Sequence, residues 1–140
     1  MKSAKNSKCI IFPSVRENGL LFFLEAGKQI PFTIKRVFYI LDMPEGRERG
    51  KHANKKTKEV LCCLHGSVKV VLNDGVNKSE YILREPGKGI FIKNMTWVEL
   101  KEFKKNTVLL CVASKYYDEK DYIYAYDEFL TAGLKCLSQG

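Results

Sequence analysis

His52 and His65 are the only imidazoles in the chain, and only His52 stands among other groups able to do chemistry. Around it the sequence reads Gly50-x-His52-x-Asn54, with Glu59 and Gly66 following. An imidazole near a carboxylate has two common uses: it ligates a transition metal, or it moves protons at a substrate. A stable zinc, manganese or iron site takes three or four ligands. His52 and Glu59 fall short of that, and the later block Ile90-Phe91-Ile92-Lys93 brings no further histidine. No catalytic metal and no other cofactor is therefore expected, and taken alone His52 reads as a hydrogen-bonded core residue, with a base as the alternative. His65, beside Gly66, reads as a surface turn residue.

The charge around this segment suggests what could sit there. The chain carries 24 Lys+Arg against 16 Asp+Glu, a net +8. Arg47, Arg49, Lys51, Lys55, Lys56 and Lys58 gather near His52. Two or three cations suffice to hold a pyrophosphate, so one small phosphorylated ligand is expected, with a solvated basic face as the plain alternative. Helix-turn-helix, zinc-finger and aromatic RNA-binding signatures are lacking, so nucleic acid is not. No apolar run approaches the roughly 20 residues that cross a bilayer, and the basic start (Lys2, Lys5, Lys8) has no secretory apolar region behind it. A cytoplasmic location is expected. The five cysteines form no C-x-x-C pair and read as free, mostly buried thiols rather than a zinc clamp. Cys62 and Cys63 are adjacent in a strand and should point to opposite faces.

The elements that must carry these groups are short apolar runs separated by turn residues. Strands are expected at Cys9–Phe12, Leu20–Glu25, Ile34–Leu41, Glu59–His65, Ser67–Leu72, Ser79–Leu83, Gly89–Ile92, Thr96–Leu100 and Val108–Ser114. Asn73-Asp74-Gly75 is a hairpin turn, and Glu85-Pro86-Gly87-Lys88-Gly89 a loop. Strands at this spacing describe an antiparallel sandwich or barrel. One helix is expected, from about Asp121 to Cys136, capped by Ser114 or Asp118 and carrying Tyr122, Ile123, Tyr126, Phe129 and Leu130 on its apolar face. Residues 1–140 read as one all-β domain with a C-terminal helix, in the length range of about 100–150 residues typical of a domain.

The spacing Gly50-x-His52-x-Asn54-x4-Glu59-x6-Gly66, followed by Pro86-x-x-Gly89, resembles the two motifs of the cupin superfamily. The chain further resembles the nucleotide-sugar 3,4-ketoisomerases that act on dTDP-4-keto-6-deoxyglucose. The stretches that carry this are Ile30-Pro31-Phe32-Thr33-Ile34-Lys35-Arg36-Val37-Phe38-Tyr39-Ile40, Arg49-Gly50-x-His52-Ala53-x-Lys55-Lys56, Val60-Leu61-Cys62-Cys63-Leu64-x-Gly66-Ser67 and Ala113-Ser114-x-Tyr116-Tyr117-Asp118-Glu119-x-Asp121-Tyr122-Ile123-x-x-Tyr126-Asp127.

That resemblance implies a metal-free cupin-type antiparallel barrel, or jelly roll, working as a homodimer on sugars for surface glycans such as O-antigen. It implies His52 as the base that takes the proton from C3 of the sugar. A C–H beside a ketone is acidic enough for an imidazole, with its ordinary pKa near 6.5, to remove. Asn54 occupies the second catalytic position, where the family has a proton-shuttling histidine. Arg36, Tyr39, Arg49, Lys55 and Trp97 make up the implied substrate-binding set, with Arg49 on the diphosphate. Trp97 also suits a place in the barrel wall, and the C-terminal tyrosines suit packing or an interface. The chain departs from the family at Asn54, which cannot take up and release a proton near neutral pH, at Phe38 in place of a tyrosine, at Lys51 in place of an aromatic, and at Val98. Two functions follow: 3,4-ketoisomerisation with His52 as base, or a non-catalytic cupin that binds a nucleotide sugar or partners a pathway enzyme.

Overall fold

The structure, a computed structural model, describes residues 7–139, and Lys2 and Lys5 lie outside them. The described strands are β1 (Ser7–Ile11), β2 (Ser14–Arg16), β3 (Leu20–Phe22), β4 (Arg36–Ile40), β5 (Arg49–Asn54), β6 (Glu59–His65), β7 (Val68–Asn73), β8 (Lys78–Leu83), β9 (Lys88–Ile92), β10 (Trp97–Lys101), β11 (Val108–Ala113) and β12 (Tyr122–Ile123). A 3₁₀ turn spans Glu119–Asp121, and the helix α1 spans Tyr126–Gln139. Two five-stranded sheets form, in the orders β1-β9-β6-β11-β4 and β12-β5-β10-β7-β8, with β2 and β3 as a separate hairpin. Every pairing between these strands is antiparallel. The result is the expected jelly-roll, all-β fold with a C-terminal helix.

Side-chain alternation explains the layers. On β6, Leu61 and Cys63 point between the sheets, where they join Val70, Leu72, Ile90, Val98, Leu109 and Cys111. Val60 and Cys62 point the other way, into a second cluster with Phe12, Ile30 and Val112. The two adjacent cysteines thus face opposite layers, as a two-residue period demands. Burying each such side chain stabilises the fold by about 1.5–3 kcal/mol. The third cluster joins the outer face of the second sheet to α1 through Ala53, Trp97, Ile123 and Phe129.

The expected strands all form, with shifted ends. The strand expected at Leu20–Glu25 stops at Phe22, and β4 is shorter than Ile34–Leu41. The turn at Asn73-Asp74-Gly75 forms, its Asp74 Oδ1 accepting the amides of Val76 at 2.8 Å and Asn77 at 2.7 Å. The loop after Glu85 is shorter than expected, because Lys88 and Gly89 already belong to β9. His65 is exposed at the end of β6.

Two corrections matter for the site. Strand β5 was not anticipated, because Arg-Gly-Lys-His-Ala-Asn has no apolar alternation; its neighbours β10 and β12 hold it in place. The helix starts at Tyr126, not Asp121. Tyr122 and Ile123 instead pair with Asn54 and Ala53 as β12, and Asp118 caps the 3₁₀ turn by accepting the Lys120 amide at 3.0 Å. Among the described residues no helix is long and apolar enough to cross a membrane.

Candidate functional site

Gly50 is where the site begins. Val98 of β10 faces His52 and Glu99 faces Gly50, so Lys51 is an extra residue bulged out of β5. Gly50 and Lys51 have φ of 81° and 55°, in the left-handed region that a side chain disfavours. A Cβ on Gly50 would stand 2.7 Å from the Val98 carbonyl oxygen, so only glycine fits. Bulges of this kind re-aim the neighbouring side chain. Lys51 is left outside, paired with Glu48 at 3.1 Å, while His52 lines the space between the sheets.

The same bulge fixes the imidazole. His52 Nδ1 lies 3.1 Å from the Gly50 carbonyl oxygen. A carbonyl only accepts, so Nδ1 carries the hydrogen, and Nε2 of the neutral ring is the unprotonated nitrogen.

The cavity that His52 lines has a volume of about 570 Å³. Aromatic rings from the chain's end form one wall: Tyr122 meets the His52 ring edge-on at 5.0 Å, and Tyr124 lies at 6.0 Å. These two tyrosines stack at 5.7 Å with 8° between planes. Arg36, at the start of β4, donates through Nη1 to the Tyr122 hydroxyl at 3.4 Å. Its guanidinium carbon lies 5.3 Å from the Phe38 ring and 5.7 Å from that of Tyr117. The Arg36 Nε is buried without a hydrogen-bond partner. Glu59, at the start of β6, lines the same cavity and accepts from the Cys111 thiol at 3.2 Å. Burial raises its carboxyl above the ordinary value, against the pull of the Cys111 hydrogen bond and of nearby His52 and Arg36.

Of the expected site residues, His52, Arg36 and Arg49 line the cavity together with Phe38 and Val98. Four do not. The Asn54 amide donates to Asp121 at 3.1 Å and is buried there. Tyr39 lies on the other face of β4 from Arg36 and Phe38 and is 64% exposed. Trp97 packs under the helix against Tyr126 and Phe129, at 5.3 and 5.8 Å. Lys55 follows β5, its amide bonded to the Asp121 carbonyl at 2.8 Å, and does not reach the cavity wall. Sequence reasoning missed Tyr117, Tyr122 and Tyr124. The signal was there in the two-residue period of Tyr122-x-Tyr124, masked by a helix-like spacing from Tyr122 to Tyr126 and Phe129. Among the described residues no group of three or more His, Cys, Asp or Glu side chains is placed to hold a metal ion.

A jelly roll with one imidazole-bearing cavity between its sheets defines a cupin. The chain belongs to the cupin family described as FdtA, WxcM-like, C-terminal, whose model matches residues 5–133. It is 43% identical over 124 residues, 88% of this chain and 89% of the relative, to the TDP-4-oxo-6-deoxy-alpha-D-glucose-3,4-oxoisomerase of Aneurinibacillus thermoaerophilus. The 3,4-ketoisomerase of Helicobacter canadensis superposes with a TM-score of 0.89 at 42% identity, over 92% of this chain and 98% of that one. A sugar 3,4-ketoisomerase of Thermoanaerobacterium thermosaccharolyticum, solved with TDP, gives 0.90 at 39% identity, over 94% and 96% of the two chains. A histidine-to-asparagine variant of that enzyme was solved with TDP-4-keto-6-deoxyglucose.

Proposed function

We propose that the protein is a nucleotide-sugar 3,4-ketoisomerase that converts TDP-4-keto-6-deoxyglucose to a TDP-3-keto-6-deoxyhexose. The observation that carries this is the His52–Gly50 hydrogen bond at 3.1 Å. It selects the tautomer whose Nε2 accepts a proton, in a cavity lined by the groups a nucleotide sugar needs. Nε2 takes the proton from C3 of the sugar and returns one to C4. Arg36 lines the cavity, and its guanidinium is the donor assigned to the enediolate oxygens that form between these steps. Arg49 supplies a fork for diphosphate oxygens. The stacked Tyr122 and Tyr124 offer an aromatic face to the sugar or base.

The whole chain acts as one domain in this proposal, and two copies pair. Ile11, Leu21, Val37, Tyr39 and Leu41 are large apolar or aromatic side chains left 49–75% exposed. Several of them lie on or beside β1 and β4, the edge strands of the first sheet, and open edges of this kind are covered in stable proteins. Light scattering at the dimer mass is expected, and a 16.1 kDa particle would remove the pairing. The free thiols Cys62, Cys63 and Cys111 agree with action in the cytoplasm, on sugars destined for surface glycans.

The deciding experiment is proton NMR of TDP-4-keto-6-deoxyglucose with the protein in deuterated water. Deuterium should enter at C3 and the 3-keto isomer should accumulate. His52→Asn should slow exchange by about 10²–10⁴-fold while TDP affinity stays within a few fold. Exchange no faster than in buffer would leave a cupin that binds the nucleotide sugar without turning it over, a reading that Phe38 and Val98 in the cavity wall would then explain.

A further inference from the structure

Moving a ketone from C4 to C3 transfers two kinds of proton. One leaves carbon C3 and another enters carbon C4, which is the task given to His52. A second must reach the C4 oxygen, and one must leave the C3 oxygen. A single imidazole holding the carbon proton cannot serve both oxygens at that moment, so the cavity needs another carrier. Asn54 is not it, because its amide is spent on Asp121 and has no exchangeable acid function near neutral pH. Arg36 and Arg49 keep their protons. Glu48 is engaged by Lys51 at 3.1 Å.

Glu59 is the remaining carboxyl in the cavity wall. It stands on β6 of the first sheet, while His52 stands on β5 of the second, so the two groups approach the cavity from opposite layers. It is 8% exposed. Among the described residues no cation lies within ion-pair distance of it. The Cys111 thiol donates to its Oε2 from within the core. We propose that Glu59 is the second proton carrier of the reaction, giving a proton to one sugar oxygen and taking one from the other. The inference rests on the ketoisomerase function proposed above.

The steps balance without a co-reactant. Nε2 of His52 takes the C3 proton as the C3–C4 double bond forms, and the Glu59 O–H gives its proton to the C4 oxygen. The neutral enediol then loses its C3 hydroxyl proton to the Glu59 carboxylate, and the imidazolium returns its proton to C4. C3 is oxidised and C4 reduced within one molecule, and both side chains end as they began. A carboxyl suits this because one oxygen donates while the other accepts.

The groups facing Glu59 are Cys111 from β11, His52 from β5, Arg36 from β4 and Asp121 from the 3₁₀ turn. Burial favours the protonated form, and the Cys111 hydrogen bond opposes it. Activity should therefore fall as pH rises through the raised Glu59 value. Removing the thiol donor with Cys111→Ala should move that alkaline limb to higher pH.

The test measures conversion of TDP-4-keto-6-deoxyglucose by the full chain. Glu59→Gln should lower kcat by about 10²–10⁴-fold, with KM and the calorimetric affinity for TDP within a few fold of wild type. Cys111→Ala, whose fold is checked by the same TDP binding, should stay active with its alkaline limb displaced upward. If the wild-type chain converts substrate and Glu59→Gln converts it equally well, or if the limb stays in place in Cys111→Ala, Glu59 is not the carrier. If the wild-type chain gives neither conversion nor C3 exchange, the isomerase function itself fails, and this inference with it.

Discussion

The Asn54 side-chain amide donates to Asp121 Oδ2 at 3.1 Å, joining two residues 67 positions apart. Asp121 also accepts the Lys56 amide at 2.7 Å and the Thr57 hydroxyl. One carboxylate therefore clamps the end of β5 to the chain leading into β12. That clamp sets the register Tyr122↔Asn54, and the register brings the Tyr122 ring to 5.0 Å from His52.

The clamp should show in acid. Burial pushes the Asp121 carboxyl up, but the hydrogen bonds from Thr57, Asn54 and the Lys56 amide outweigh it and hold the group below its ordinary value. A depressed carboxylate contributes stability that is complete above the unfolded value, about 3.9, and is lost as pH falls through the folded value. Asp121→Ala should lower unfolding free energy at neutral pH by on the order of 3 kcal/mol, since bonds to a charged group are the strong ones. It should also flatten the acid-side loss in urea titrations run from pH about 6 downward. An unchanged acid slope would assign that loss elsewhere.

Gly50→Ala should damage chemistry more than binding. The positive φ costs about 1–3 kcal/mol for a side chain, and the added Cβ meets the Val98 carbonyl. Relief by shifting β5 moves both the His52 ring and the carbonyl that sets its tautomer. The expected outcome is a lowered Tm and a fall in kcat well beyond any change in TDP affinity.

Trp97 and Tyr124 should separate packing from binding. Trp97→Ala empties the cluster beneath α1 and should cost about 3–5 kcal/mol, with KM near wild type in whatever protein remains folded. Tyr124 is 62% exposed and stacks only on the cavity side, so Tyr124→Ala should leave Tm almost unchanged and raise KM. The opposite pattern would return Trp97 to the binding site.

The core thiols should be inert. Burial and neighbouring Cys63 push the Cys62 thiol up to about 11, and burial above all puts Cys111 well above its usual range. Iodoacetamide reacts with thiolate. At mildly alkaline pH, mass spectrometry of the native protein should find Cys62, Cys63 and Cys111 unlabelled, and unfolding in urea should expose all three.

The apolar runs within Glu59–His65 and Val108–Ala113 marked both segments as strands from the sequence alone, and in the fold Val60, Leu61, Cys62 and Cys63 are buried on both faces. The order Arg-Gly-x-His singled out His52 as the candidate base. What the sequence could not decide was the company His52 keeps. Strand β5 has no apolar rhythm of its own and exists because β10 and β12 supply its hydrogen bonds. Tyr122 begins a plausible helix locally, but the buried Asp121 clamp outweighs helix propensity and draws it into a strand. Whether Asn54, Tyr39 or Trp97 faces a ligand depends on pleat and register, which a one-residue shift inverts. Pairing with strands distant in sequence fixed that register, and so turned Asn54 toward Asp121 and left Glu59 facing the cavity.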